Sequence, residues 1–358
     1  MKRTITIRLK KRKYDIIISQ SISDFFSALK NQIKTRNLFI ISDTNVAKLH
    51  LERFVNLFKQ TNYNVRTAII NAGEEGKNIK NLSYLYDTAL KQGVDRKSCA
   101  VAFGGGVIGD IAGFFAATYM RGIDFIQIPT TLLAMTDSSI GGKTAINITK
   151  GKNIAGVFYH PKFVWINTNF LESLNERQVR NGFAEIIKYA FIFDENFYKY
   201  LINLLENEIV LPKDFDYMIY KSCSYKAKVV EKDEKETKDL RTILNFGHTY
   251  AHALESATHY RKFLHGEAVA IGMLLAAKLS LKLKLCKKET YNKITKLLHL
   301  AAFNLDRINN PKQFLSLMKK DKKSVNGNIN FVLIKDIGKT INKQINRPLS
   351  KLKVQNYK

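Results

Sequence analysis

Cysteine is scarce: the 358 residues hold three, Cys99, Cys223 and Cys286, far apart in the chain. An odd and scattered set is no disulfide framework and favours a reducing, cytoplasmic setting. The start lacks an uninterrupted apolar stretch. After Met1-Lys2-Arg3, Ile5, Ile7 and Leu9 alternate with polar residues, so no signal peptide is expected. Nothing reads as a membrane span either. The most apolar stretch, 100–120, is interrupted by glycines and Asp110 and suits a buried strand, turn and helix. Internal repeats and low-complexity linkers are missing. Acidic residues are few, 31 against 58 Lys and Arg, which leaves a net charge of +27. Such an excess suits a polyanion such as RNA or DNA. The basic residues are dispersed, however, without a long basic block or interleaved aromatics. We therefore read a bias spread over solvated faces, with some attraction for an anionic substrate, and expect no nucleic acid or membrane partner. What is present is ordinary for a globular protein, 45% hydrophobic and 25% charged. The length suggests two domains.

The first half alternates strands and helices. Strands are expected at 4–9, 14–19, 37–42, 65–70, 98–103 and 125–128, and helices at 23–34, 44–61, 79–92 and 107–120. That alternation implies an α/β, Rossmann-like domain with a parallel sheet. From Asn175 onward helical periodicity takes over, at 177–191, 195–207, 214–232, 247–257 and 267–283, with more helix between 288 and 319 and a late strand at 330–334. The boundary is placed at 1–170 and 171–358.

Three constellations carry chemistry. Gly104-Gly105-Gly106-Val107-Ile108-Gly109-Asp110 fits G-x-G-x-x-G, after an expected strand and at the opening of a helix. Glycines there admit a pyrophosphate to the backbone, and the helix N-terminus favours its charge. A packing turn with no ligand is the plainer alternative. Asp43, at the end of an earlier strand, is a better ribose acid than Asp124. The second constellation, 129–144, is dense in hydroxyls and glycine and ends in Gly141-Gly142-Lys143, an anion-binding composition, although Asp137 stands where a Walker A loop needs its first glycine. Lys152 follows closely enough to return to the same pocket.

The third is a histidine cluster. Four of the seven histidines lie between 248 and 265. His248 and His252 share a helix face, Glu255 lies three residues further on, and His265 opens the next apolar helix. A single histidine is ordinarily a hydrogen-bonded core residue, as we read His50, His160 and His299, and His259 reads as an exposed turn residue. The cluster instead suits a catalytic zinc site of three protein ligands with an open position. Spacing alone nominates His248 and His252 with either Glu255 or His265. Lys226, Glu236, Arg241 and Asn245 flank the cluster in sequence, and Arg241 and Asn245 point together if helical. With Arg121 they suit a phosphorylated or carboxylated substrate.

The stretches GGGVIGDIAGFFAATYMRGIDFIQIPTTLLAMTDSSIGGKTAIN, GFAEIIKYA, LNFGHTYAHALE and HGEAVAIGM occur in this order. In sequence and spacing they resemble the 3-dehydroquinate synthase family, a branch of the sugar-phosphate cyclases and polyol dehydrogenases. The resemblance runs from about Asp43 to Gly338. It implies a homodimer of chains with a Rossmann-like N-terminal domain and a helical C-terminal domain that binds metal and substrate. It implies Glu185, His248 and His265 as ligands of Zn2+ or Co2+. For NAD+ it implies Asp43, Gly73, Glu74, Glu75, Gly76, Lys77, Gly106, Val107, Ile108, Gly109, Asp110, Thr130, Thr131, Lys143, Lys152, Phe170, Leu171, Glu172 and Ser173. Substrate would meet Arg121, Asp137, Lys143, Lys188, Lys226, Arg241, Asn245, His252 and a lysine of Asp321-Lys322-Lys323, with Glu236 close to the active centre. Lys152 and His252 would anchor and shuttle protons for the leaving phosphate. The implied reaction turns 3-deoxy-D-arabino-heptulosonate 7-phosphate into 3-dehydroquinate and phosphate by transient oxidation, β-elimination, re-reduction and aldol closure. Ala72, His160 and Asn167 depart from the family's usual Asp, Gln and Asp. Another sugar-phosphate cyclase, a metal-dependent polyol dehydrogenase and a basic nucleic-acid-binding protein are the competing readings.

Overall fold

The computed structural model describes residues 2–149, 151–207, 210–258, 260–305, 324–325 and 328–345. His259 and the Asp321-Lys322-Lys323 motif lie outside the described residues. The chain forms two compact units. The first comprises the residues up to Val179 together with Pro212–Lys235; the second comprises Arg180–Leu211 and the described residues from Glu236 onward. The helix Pro212–Lys232, far beyond residue 170 in sequence, thus packs with the first unit, against β1 (Arg3–Arg8).

The core of the first unit is a seven-stranded sheet. Besides β1 it contains β2 (Lys13–Ile18), β3 (Asn37–Asp43), β4 (Asn64–Ile70), β5 (Cys99–Gly104), β6 (Asp124–Pro129) and β9 (Phe163–Ile166), in the order β1-β2-β9-β6-β5-β3-β4. β1 pairs antiparallel with β2; every other pairing is parallel. Period-two alternation explains why both faces are covered. Phe39, Ile41, Ala100 and Ala102 enter the core under the helices Ile79–Lys91 and Gly106–Thr118, while Leu38, Ile40, Val101 and Phe103 enter the opposite core with Phe25, Leu29 and Phe54. The expected strands and helices of this half appear within a few residues of their places. The helix expected over 44–61 is helical only over 44–56, with a π-turn at Ala47–Leu51.

The region 129–166 differs from expectation. Ala134–Ser138 forms a π-helical turn, and Lys143, read as part of a loop, opens β7 (Lys143–Ile148), which pairs antiparallel with β8 (Gly151–Phe158). β9 has four residues, all buried, too short a run for periodicity to separate from loop.

The second unit is mostly helical. It contains Glu195–Glu206, His248–Ala257, His265–Lys282 and Lys288–Leu300, most of Glu176–Phe193, and a hairpin of Asn328–Asp336 with Lys339–Ile345. Its central pair, His248–Ala257 against His265–Lys282, packs closely because a Cβ at Gly272 would strike the Gly247 carbonyl.

Candidate active site and metal centre

In the first unit the strand order reverses between β3 and β5, since β4 lies on one side of β3 and β5 on the other. In open α/β sheets, ligands enter at the carboxyl ends of strands at such a switch point. Asp43 ends β3, and its Oδ1 accepts the N–H groups of Asn45 and Val46 at 2.9 and 3.0 Å. Gly104 ends β5, and Gly105 precedes the helix without offering a capping side chain. A Cβ at Gly106 would come within 2.7 Å of Ser138 Oγ. Around this turn Thr130 Oγ1, Ser138 Oγ and Ser139 Oγ are buried without a hydrogen-bond partner. Orphaned hydroxyls beside a glycine turn at a helix N-terminus fit the oxygens of a dinucleotide.

Val107, Ile108, Gly109 and Asp110 form the first turn of that helix. Asp110 Oδ2 accepts from Lys77 Nζ at 2.8 Å; Lys77 also lies 3.2 Å from Glu74 Oε1, and Lys152 Nζ lies 3.3 Å from Glu74 Oε2. Four of the expected cofactor residues, spread over 74–152, therefore meet. Burial pushes the Asp110 carboxyl up, and Lys77 offsets this only in part. For Glu74, burial acts upward but is outweighed by Lys77 and Lys152, which hold its carboxyl below the usual range. Gly73 takes φ +98° at the start of the turn Glu74–Gly76, and Glu75 is exposed. Phe170, Leu171, Glu172 and Ser173 lie in the 3-10 turn Thr168–Ser173, where Phe170 packs on Phe103 and His50 Nε2 lies 2.8 Å from Ser173 Oγ. Thr131 is half-buried at the end of β6, and Lys143 and Arg121 are exposed, Arg121 with φ +69°. Lys226 Nζ lies 2.8 Å from Asp137 Oδ1 and donates to the Asp137 carbonyl at 2.9 Å. Asp124 makes an exposed ion pair with Lys162.

The second unit brings Glu185, His248 and His265 together. One ligand atom from each lies within 4.8 Å of the others. Glu185 Oε1 is 3.5 Å from His248 Nε2 and 3.6 Å from His265 Nε2. The Glu185 side chain is completely buried; Oε2 is in ion contact with Lys188, one turn further along Glu176–Phe193, while Oε1 lacks a hydrogen-bond partner. A buried carboxylate oxygen facing two imidazole nitrogens, with none of the three bonded to another, is what a divalent cation would satisfy. His248 Nδ1 lies 3.3 Å from the Phe246 carbonyl; a carbonyl only accepts, so the proton sits on Nδ1 and Nε2 is left to ligate. His265 Nδ1 lies 3.3 Å from Glu255 Oε1. Burial acts to lower the His265 pKa, but the carboxylates of Glu185 and Glu255 outweigh it, and it is pushed up to about 9. Without a cation that imidazole therefore holds a proton that metal binding would release.

Of the residues that spacing alone nominated, His252 stays outside the trio, its ring perpendicular to His248 at 5.7 Å between centroids. Glu255 also stays outside and contacts His265 instead. Arg241 Nε lies 3.2 Å from Glu236 Oε1. Arg241 and Asn245 do not share a face as a four-residue spacing in an α-helix would require, because Leu240–Asn245 is a 3-10 helix with three residues per turn. Sequence reasoning missed Asn181, whose Oδ1 accepts the Gly266 N–H at 2.6 Å and so fixes the chain next to His265. It also missed the Phe246 carbonyl. Neither carries a local signal: one contact spans 85 residues and the other is main chain.

Residues 67–181 match the 3-dehydroquinate synthase N-terminal domain family, and 182–324 the 3-dehydroquinate synthase C-terminal family. A 3-dehydroquinate synthase of Endomicrobium trichonymphae is 67% identical over 337 residues, 94% of this chain and 93% of that one. Among solved structures, 2-deoxy-scyllo-inosose synthase complexed with carbaglucose-6-phosphate, NAD+ and Co2+ aligns with a TM-score of 0.86 at 27% identity over 96% of both chains. The 2-epi-5-epi-valiolone synthase of Streptomyces hygroscopicus subsp. jinggangensis, with NAD+ and Zn2+ bound, aligns with a TM-score of 0.85 at 25% identity over 96% of both chains.

Proposed function

The chain belongs to the 3-dehydroquinate synthase family, and from that premise we propose that it converts 3-deoxy-D-arabino-heptulosonate 7-phosphate to 3-dehydroquinate and phosphate, as an NAD- and metal-dependent carbon–oxygen lyase. The observation that carries the metal dependence is the buried Glu185 Oε1, without a hydrogen bond and facing two imidazoles. When bound, NAD+ takes up and returns a hydride while the cation acidifies the hydroxyl being oxidised.

The chain's own residues do the rest. Glu185, His248 and His265 would hold Zn2+ or Co2+ and leave a coordination position open for substrate. Lys188, buried like Glu185, balances its charge. In the first unit, the turn at Gly105–Gly106, the hydroxyls of Thr130, Ser138 and Ser139, and Asp43 would receive the dinucleotide. Lys152, held by Glu74, and His252 carry the proposed roles toward the departing phosphate. The Lys152 side chain has donors only and can orient the phosphate, whereas the His252 imidazole can both accept and donate and so can hold and return its proton. Asp137 and Glu236 hold Lys226 and Arg241, so these two cations are oriented before any anion arrives. Arg121, Lys143, Lys188 and Asn245 complete the proposed substrate contacts. We further propose a cytoplasmic homodimer acting on a small phosphorylated sugar acid. Among the described residues, no helix is long and apolar enough to cross a membrane.

The test is phosphate release from 3-deoxy-D-arabino-heptulosonate 7-phosphate by the purified protein, with NAD+ and Zn2+, before and after chelation. Release that needs both additions, with no net accumulation of NADH, is the expected result. Absence of release with this substrate, alongside turnover of glucose 6-phosphate or sedoheptulose 7-phosphate, would move the assignment to another cyclase.

A further inference from the structure

We propose that Glu255 is a positioning residue of the metal centre, holding the His265 ring so that Nε2 is the nitrogen offered to the cation. The inference rests on the reading that Glu185, His248 and His265 bind that cation. Spacing had offered Glu255 as a ligand in its own right; the geometry gives it a different task. Its Oε1 meets His265 on the far side of the ring, 3.3 Å from Nδ1, while His265 Nε2 is the nitrogen 3.6 Å from Glu185 Oε1. A carboxylate oxygen accepts, so the ring proton is kept on Nδ1 and the Nε2 lone pair faces the ligand cluster.

Three features make this contact more than packing. Glu255 is 5% exposed, so its carboxylate needs a donor, and the imidazole provides one. The His265 side chain is 28% exposed against 11% for His248, so packing confines it less and a hydrogen bond must set its angle. The charges also tally: Lys188 neutralises Glu185, so a second buried carboxylate offsets part of the positive charge that a divalent ion brings. The helix places the group without further device. Glu255 is seven residues, two turns, beyond His248 in His248–Ala257, and so on the same face. His248 has its own acceptor, the Phe246 carbonyl, which the backbone holds in place.

The experiment uses the metal-free full chain. Zn2+ affinity is measured by competition with a chromophoric chelator, and the visible spectrum of the Co2+ form is recorded. Glu255→Ala should weaken Zn2+ binding about 10- to 100-fold and shift the cobalt bands. Glu255→Gln, whose amide oxygen accepts the same bond, should recover most of the affinity. If the alanine variant does not fold, Glu255→Met fills the volume without a strong acceptor and should show the same loss. Parental affinity and an unchanged cobalt spectrum in the alanine or methionine variant overturn the proposal, as does a folded glutamine variant that binds no better than they do. Glu185→Ala separates the two readings. If it abolishes Zn2+ binding while the Glu255 variants bind normally, the metal centre stands and this inference alone fails. A parental chain that takes up no Zn2+ sinks both.

Discussion

Glu185 has no exposed surface, and its Oε1 faces two imidazole nitrogens at 3.5 and 3.6 Å. Removing either kind of ligand should be severe: Glu185→Ala and His265→Ala should each lose bound metal, measured by elemental analysis after dialysis, and phosphate-releasing activity with it. Full activity with undiminished metal in both would refute the ligand assignment. A second expectation concerns Glu74. Its carboxyl is held below its ordinary value of 4.5 by Lys77 and Lys152, against burial. A depressed carboxylate adds stability that is present above pH 4.5 and is lost as the pH falls through the lower, folded-state value. Asp110, pushed up mainly by burial, acts with the opposite sign, so comparison with a single variant is needed. On acidification, urea denaturation should show Glu74→Gln losing less stability than the parent; an equal or greater loss would remove Glu74 from the acid-sensitive groups.

At the scale of elements, the second unit depends on a close crossing. Gly247 has φ +83°, and a Cβ there would lie 2.7 Å from both the backbone nitrogen and Cγ of Met273, in the helix that begins at His265. Gly247→Ala combines left-handed strain with overpacking and should cost about 2–4 kcal/mol in thermal or urea denaturation. Because Gly247 immediately precedes His248, Zn2+ binding should weaken along with stability; a variant with parental melting would show that the crossing has slack. Local reading worked for elements with strong periodicity, such as Glu195–Glu206 and Ile79–Lys91. It failed at β7, β8 and β9. The alternation Thr144, Ile146, Ile148 lies within hydroxyl-rich sequence that reads as loop, and four apolar residues are too few to carry a period.

At the scale of the whole molecule the charge of +27 remains. It is spread along the chain, and in the functional reading its effect is attraction of an anionic substrate. kcat/KM for the phosphorylated substrate should therefore fall as ionic strength rises from about 20 mM to about 300 mM, while kcat changes little, because screening at about 10 Å weakens long-range steering. A kcat/KM insensitive to salt would make the excess charge irrelevant to substrate capture. The motifs around 104–147, 182–190, 244–255 and 265–273 made the family legible before any coordinates, since they are long and keep their order.

Local sequence determined the alternating α/β half, the helical half and the candidate chemistry, because periodicity, glycine placement and residue type are properties of a few neighbouring residues. It left the metal ligands open, and read locally it favoured His248 with His252, four apart on one helix. The family resemblance added Glu185, 63 residues earlier; its approach to His248 and His265, and the contact of Glu255 with His265, are features of the tertiary structure. Which side chains converge depends on how helices cross, and a crossing is set by packing between segments that no short window of sequence contains.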